Sequence, residues 1–305
     1  MTATKGRRAP MLTLRWGSAT DVGRVRTLNE DSLLAVPGLF VVADGMGGHA
    51  AGEVASQLAV TEFARLAEQA PVRAEDLTET VRRANEHILS ASAEREDRLG
   101  MGTTLTGIGV VGSEHGEQLA VFNVGDSRVY RFTGGQLGQL TVDHSAVQEL
   151  VDSGRLTAEA ARSHPRRNVV TRSLGSDPGP APDVWLVQPV TGDRFLVCSD
   201  GLTGELEDSV IAELLSTIAD PQAAADQLVR QALSAGGNDN VTTVVLDVVE
   251  VRDAEPSLEA TAAMPAMGAR AEATAAMAPS AELGPPPGTP TPTAVLPRAP
   301  GAERG

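Results

Sequence analysis

Lysine is nearly missing from this chain of 305 residues: Lys5 is the only one. That excludes a phosphate-cradling loop ending in lysine and a Schiff-base lysine, and with them P-loop nucleotide hydrolysis and aldolase-type chemistry. Cysteine is represented by Cys198 alone. No disulfide framework or cysteine-built zinc cluster can form, and a reducing, cytoplasmic setting is expected. Aromatic residues make up 3% against 41% apolar residues, so the core has to be built from Val, Leu, Ile and Ala. No run approaches the ~18 apolar residues of a membrane span. The opening MTATKGRRAPMLTLRWG lacks the apolar stretch of a signal peptide. Basic clusters are absent as well, and a net charge of −15 disfavours nucleic acid as a partner. A chain this anionic can handle a phosphorylated substrate only with bound cations or a well-placed arginine.

What is present divides into three parts: a short leader (1–10) expected to be disordered, a domain (11–250) and a tail (251–305). The tail holds more than half of the 19 prolines, repeats EATAAM from Glu259 and Glu272, and has no aromatic residue. It cannot bury enough apolar surface to offset its ordering entropy, and disorder is expected.

Inside the domain, the period-2 and short apolar runs predict strands over Met11–Trp16, Leu39–Ala43, Thr104–Val111, Leu119–Val124, Ser127–Phe132, Gln136–Leu140, Trp185–Gln188, Phe195–Cys198 and Val241–Val249. Helical spacing marks Glu53–Leu66, Leu77–Leu89, Ala146–Val151, Ala158–Arg162, 207–217 and 221–234. Thr133-Gly134-Gly135 reads as a hairpin turn. Strands in meander order with helices in pairs point to an α+β protein of antiparallel sheets covered by helices, not to a doubly wound parallel sheet.

Four aspartates stand at strand ends beside tight turns: Asp44 in VVADGMGGH, Asp126 in NVGDSRVY, Asp200 in LVCSDGL and Asp239 in GGNDNVT. Asp31, in RTLNEDS, is a fifth. Singly, an Asp-Gly pair is more often a turn than a ligand. Carboxylates gathered at one sheet edge repel one another unless a cation lies among them. An all-oxygen donor set suits Mg²⁺ or Mn²⁺, not zinc.

In order along the chain come R-x-x-N-E-D (Arg26 to Asp31), D-G-M-G-G-H-x-x-G-E (Asp44 to Glu53), G-x-T (Gly102 to Thr104), G-D-S-R (Gly125 to Arg128), S-D-G-L (Ser199 to Leu202) and D-N-V-T (Asp239 to Thr242). This series resembles the bacterial PP2C-type (PPM family) metal-dependent serine/threonine protein phosphatases over residues 12–249. The resemblance implies a four-layer α/β/β/α sandwich of two antiparallel sheets flanked by helix pairs, with a flap subdomain at about 143–175. It also implies hydrolysis of phosphoserine and phosphothreonine by a metal-activated water between two cations. Asp44 is expected to bridge two Mn²⁺ or Mg²⁺ ions, with the Gly45 carbonyl on one of them. Asp200 and Asp239 complete one ion's protein ligands, and Asp31, with Glu30 beside it, holds the other through waters. Asp126 matches the ligand of a third metal. Asn168 replaces the serine that many members carry on the flap, and it stays outside the ligand set. Arg26 is expected to clasp the substrate phosphate. His49 is the general-acid candidate, protonation by a metal-bound water the alternative; Met46 stands where animal members have histidine. The implied partners are phosphorylated proteins, serine/threonine kinases and their substrates among them, acted on by a monomer.

Two other readings compete: a pseudophosphatase that only binds phosphoproteins, and a phosphatase of the sigma-factor partner-switching kind. The first requires a broken ligand set, yet Asp31, Asp44, Asp200 and Asp239 are all present. The second generally lacks both the flap and the phosphate-binding arginine. A cysteine-phosphatase reading fails because Ser-Asp-Gly-Leu-Thr-Gly follows Cys198 with no arginine. That cysteine is expected to be a buried, inert strand residue.

Overall fold

A computed structural model describes residues 12–47, 51–69, 71–113 and 116–252. The leader, His49 and residues 253–305 of the tail lie outside the described residues.

Two five-stranded antiparallel paths make the frame. One sheet runs β1 (Leu12–Asp21), β11 (Val241–Val251), β10 (Arg194–Cys198), β7 (Arg128–Thr133), β8 (Gln136–Gln139). The other runs β2 (Asp31–Val36), β3 (Leu39–Met46), β5 (Leu105–Ser113), β6 (Gly116–Val124), β9 (Asp183–Val187), with β4 (Gly102–Thr103) paired to the end of β3. Helices α1 (Ala51–Ala67) and α2 (Ala74–Ala93) cover the second sheet. Helices α5 (Asp200–Thr203), α6 (Asp208–Thr217) and α7 (Pro221–Ala235) cover the first. Between β8 and β9 the flap carries α3 (Ala146–Asp152) and α4 (Ala158–Arg162), capped by Ser145 on Gln148 N–H and Thr157 on Ala160 N–H.

Strand alternation produces three apolar layers, because successive side chains point to opposite faces. In β3, Phe40 and Val42 enter the layer between the sheets while Leu39, Val41 and Ala43 face α1 and α2. In β10, Phe195 and Val197 join the middle layer while Leu196 and Cys198 face α6 and α7. The few aromatics are placed at the seams. Trp16 meets Phe40 edge-on across the sheets at 5.4 Å, and Phe63 of α1 stacks on Phe122 of β6 at 5.1 Å. The β7–β8 turn is Gly134-Gly135, both with positive φ (57° and 81°), the backbone a two-residue type I′ hairpin requires.

Three differences from the sequence expectations have physical causes. β1 continues five residues beyond Trp16, through GSATD, and pairs with β11 to Asp21↔Val241. α7 presses close there: a Cβ on Gly17 would stand 2.2 Å from the Gln222 Cα. β2 was not anticipated: its apolar run is only Leu33–Val36, and both its faces are covered. Leu33 and Ala35 face the inter-sheet layer and Leu34 and Val36 face the helices, which erases the polar–apolar alternation. Asp44 lies inside β3 rather than past it, since β4 extends the pairing through Gly45↔Thr103.

Candidate metal centre and active site

The acids expected from the motifs meet at one end of the sandwich. Asp31 opens β2 and is the direct cross-strand partner of Asp44 in β3. Asp126 follows the turn after β6, where Gly125 has φ 111°. Asp200 starts α5 directly after β10, and Asp239 lies two residues before β11. Their mutual repulsion shows in their acidities. Burial, the neighbouring carboxyls of Asp31, Asp200 and Asp126, and a hydrogen bond in which Asp44 donates to Asp200 hold the Asp44 carboxyl well above the usual range. Burial and Asp239 raise Asp200, offset by that hydrogen bond and by Arg128 and Arg26. Asp31 is pushed up to about 7 by burial, with Asp200 and Asp239 adding to it and Ser199 and Thr242 opposing. Asp126 is pushed up to about 8 by burial, Asp200 and Asp143. In Asp44 and Asp200, part of whose surface stays open, desolvation is still the leading cause.

Long-range hydrogen bonds hold this arrangement. The Ser199 hydroxyl donates to Asp31 Oδ2 at 2.8 Å and accepts from Thr242 N–H at 3.0 Å, so β2, β10 and β11 share one anchor. Asp31 Oδ1 is buried and has no partner. Thr104 Oγ1 accepts from Asp44 N–H at 3.0 Å and lies 2.8 Å from Ser127 Oγ, tying β3 to the Asp126 turn. Gly45 N–H donates to the Glu30 carbonyl at 3.1 Å. A Cβ on Gly45 would come within 2.1 Å of the Gly52 carbonyl, so only glycine fits. Glu30 turns its side chain to Gly52, and burial raises its pKa. Asn240, buried, donates to the Val22 and Leu28 carbonyls at 2.9 Å each and accepts from Glu30 N–H at 2.8 Å. It thereby pins the loop carrying Arg26 against Asp239.

Arg26 donates from Nη2 to Asp239 Oδ2 at 2.7 Å, with half of its side chain exposed. It is thus a cation at the rim of a cluster of acids, with surface left for an anion. Behind the cluster, Arg128 forks onto Asp143 at 2.6–3.1 Å and reaches Tyr130 OH at 2.9 Å. His144, also buried, accepts at Nδ1 from Gly125 N–H at 3.0 Å, which leaves Nε2–H to donate to Asp183 at 3.0 Å. These two bonds fasten the root of the flap to the Asp126 turn and to the start of β9. A cleft of about 690 Å³ runs under the flap, lined by Asp126 and Asp200 and by flap residues including Arg162, Arg167 and Asn168. Cys198 is fully buried and its thiol is pushed up to about 12 by that burial, which makes it inert as a nucleophile.

The structure thus brings the five acids named from the sequence together with Gly45, Arg26 and Glu30. Sequence reasoning passed over Ser199, Asn240, Thr104 and His144. The first three lie inside the quoted motifs S-D-G-L, D-N-V-T and G-x-T, and that position was the available signal. His144 had no comparable motif.

The donors suit a hard divalent cation. They are all oxygen, and one buried carboxylate oxygen is orphaned. Among the described residues, no group of three or more His, Cys, Asp or Glu side chains is drawn up to enclose an ion by itself. Carbonyl oxygen and water must complete any coordination shell.

Two antiparallel sheets packed face to face carry the acidic cluster and an arginine at one end, and comparison with known proteins identifies the family. The family described as "Protein phosphatase 2C" matches residues 24–235. The chain belongs to the protein phosphatase 2C family. It is 44% identical over 243 residues to the serine/threonine protein phosphatase PstP of Mycobacterium tuberculosis, covering 78% of this chain and 46% of that relative. The chain thus spans about half the length of that relative. The serine/threonine phosphatase stp of Listeria monocytogenes is 37% identical over 243 residues, 75% of this chain and 93% of the relative. The crystal structure of the catalytic domain of PstP in complex with two manganese ions superposes with a TM-score of 0.72 at 41% identity, covering 78% of this chain and all of that one.

Proposed function

We propose that this chain is a metal-dependent serine/threonine protein phosphatase that hydrolyses phosphoserine and phosphothreonine in other proteins. The observation that carries the reading is the convergence of Asp31, Asp44, Asp126, Asp200 and Asp239, with Asp31 Oδ1 buried and unpartnered, beside the half-exposed Arg26. Asp44, Asp200, Asp239 and the Gly45 carbonyl would hold two Mn²⁺ or Mg²⁺ ions, with Asp31 contributing mainly through waters and Asp126 available to a third. When bound, such ions supply an acidified water as nucleophile and offset charge on the phosphoryl oxygens.

The chain's own groups do the rest. Arg26 turns from Asp239 to the substrate phosphate, which its planar fork can engage through two hydrogen bonds. Ser199, Thr104 and Asn240 keep the carboxylates from drifting apart or collapsing together. Arg128 and His144 hold the flap root against the Asp126 turn. His49 remains the proposed proton donor to the leaving serine or threonine oxygen. The catalytic unit is residues 11–250, a monomer working in the cytoplasm on kinases and kinase substrates. Among the described residues, no helix is long and apolar enough to cross a membrane.

The test is hydrolysis of an aryl phosphate and of phosphoserine and phosphothreonine peptides by the full chain, with Mn²⁺ and with chelator. Turnover confined to the metal condition is expected. No turnover at millimolar Mn²⁺ refutes the reading.

A further inference from the structure

The distribution of arginines on the flap is at odds with the rest of the surface. The chain carries 40 acidic against 25 basic residues, and most described arginines are bound to an acid: Arg15 to Asp247, Arg73 to Asp76, Arg82 to Glu79 and Glu86, Arg95 to Asp97. Arg155, Arg162, Arg166 and Arg167 are exposed and belong to no ion pair among the described residues. Outside the flap, among the described residues, only Arg24 and Arg230 share that state. The flap four fall within 13 residues of sequence that contain a single acid, Glu159. Even Glu159, three residues before Arg162 on the same helix, forms no ion pair with it. Arg162 makes only a long 3.3 Å bond to the Leu206 carbonyl. Arg162 and Arg167 line the same cleft as Asp126 and Asp200.

Unpaired guanidinium groups on an otherwise anionic surface mark a place where an anion is taken up from outside. Their planar forks match phosphate oxygens better than single carboxylates. We propose that Arg162, Arg166 and Arg167, aided by Arg155, form a docking patch for a second phosphorylated residue of the substrate, one that is bound while the first is hydrolysed. The inference rests on the phosphatase reading and specifies its substrates as multiply phosphorylated segments. The patch also offsets the repulsion that a chain of this net charge exerts on an anionic substrate. Its contribution therefore appears in KM and weakens with salt.

The test compares three peptides of one sequence: singly phosphorylated, doubly phosphorylated, and singly phosphorylated with glutamate at the second position. Full-length wild type and the variant R162A/R166A/R167A are assayed in Mn²⁺, with thermal unfolding as the folding control. Wild type is expected to favour the doubly phosphorylated peptide by about tenfold in kcat/KM, as three exposed ion pairs allow, chiefly through KM. The glutamate peptide falls between the other two. The variant loses the preference and keeps its aryl-phosphate turnover. Equal kcat/KM for singly and doubly phosphorylated peptides in wild type, or a preference that survives in the folded variant, overturns the patch. A glutamate peptide equal to the doubly phosphorylated one overturns the assignment of phosphate as its occupant. Binding of a labelled peptide carrying two non-hydrolysable phosphonates, read by anisotropy, tests the patch without turnover. If the aryl phosphate is not hydrolysed, the phosphatase reading fails, while the anisotropy still decides the patch.

Discussion

Replacing Asp31 with asparagine perturbs a single charge in the acid cluster with almost no change of shape. The folded protein holds this carboxyl at about 7 against an ordinary 3.8, with burial as the main cause and Asp200 and Asp239 adding to it. A carboxyl whose pKa is raised by folding stabilises the fold fully below the unfolded value. That contribution is lost as pH climbs from about 4 through about 7. The gap corresponds to roughly 4 kcal/mol at about 1.4 kcal/mol per pH unit. Protons taken up by Asp44 and Asp200 reduce the share a single substitution recovers, to roughly 2–4 kcal/mol. In chelator at pH 8, Asp31→Asn should therefore melt about 5–15 °C above wild type, given the usual 2–4 °C per kcal/mol for a domain of this size. The amide oxygen can still accept from Ser199, so that hydroxyl keeps its acceptor. Wild type should also lose stability between pH 5 and pH 8 more steeply than the variant. In Mn²⁺ the difference should shrink, because metal binds and stabilises the wild-type site better. Calorimetry across pH, with chelator and with Mn²⁺, checks each point. A variant in chelator at pH 8 that melts at or below wild type refutes the account of stored repulsion.

Arg26→Ala should raise KM for an aryl phosphate by roughly tenfold or more, with a smaller change in kcat, because the phosphate loses its fork. Steady-state kinetics in Mn²⁺ decides it, and an unchanged KM removes Arg26 from phosphate binding. Asn240→Ala leaves the Val22 and Leu28 carbonyls and the Glu30 N–H without their partner. At about 1–3 kcal/mol per buried orphan, it should destabilise by roughly 2–4 kcal/mol in urea unfolding and weaken Mn²⁺ binding by calorimetric titration. Gly45→Ala forces a Cβ to within 2.1 Å of the Gly52 carbonyl, and turnover should fall below detection even where circular dichroism shows a folded chain. Arg194→Ala, far from the acids, strips the fork from Asp247 and the donors from the Leu215, Ile218 and Ala219 carbonyls. It should cost roughly 3–5 kcal/mol of stability while leaving KM unchanged in the fraction that remains folded.

The runs of β3, β6, β10 and β11 were legible as short continuous apolar stretches, because a core layer covers both faces of each strand. β2 was missed because its apolar stretch is only Leu33–Val36, bounded by Asp31-Ser32 and Pro37-Gly38. The helices of the flap could be read from spacing. The unpaired state of the flap arginines could not, since pairing depends on which acids the fold brings within reach.

The chain's order of residues by itself determined the candidate ligands: five aspartates beside strand ends, a glycine after Asp44 and an arginine five residues before Asp31. It also determined the near absence of lysine and cysteine that removed rival chemistries. Only the tertiary structure decided that these acids share one desolvated cluster, that Ser199 bridges to an aspartate 168 residues away, and that Asn240 joins segments more than 200 residues apart. The physical reason is that motif spacing is local, whereas carboxylate repulsion and hydrogen-bond satisfaction are set by distances that exist only once two sheets have packed face to face.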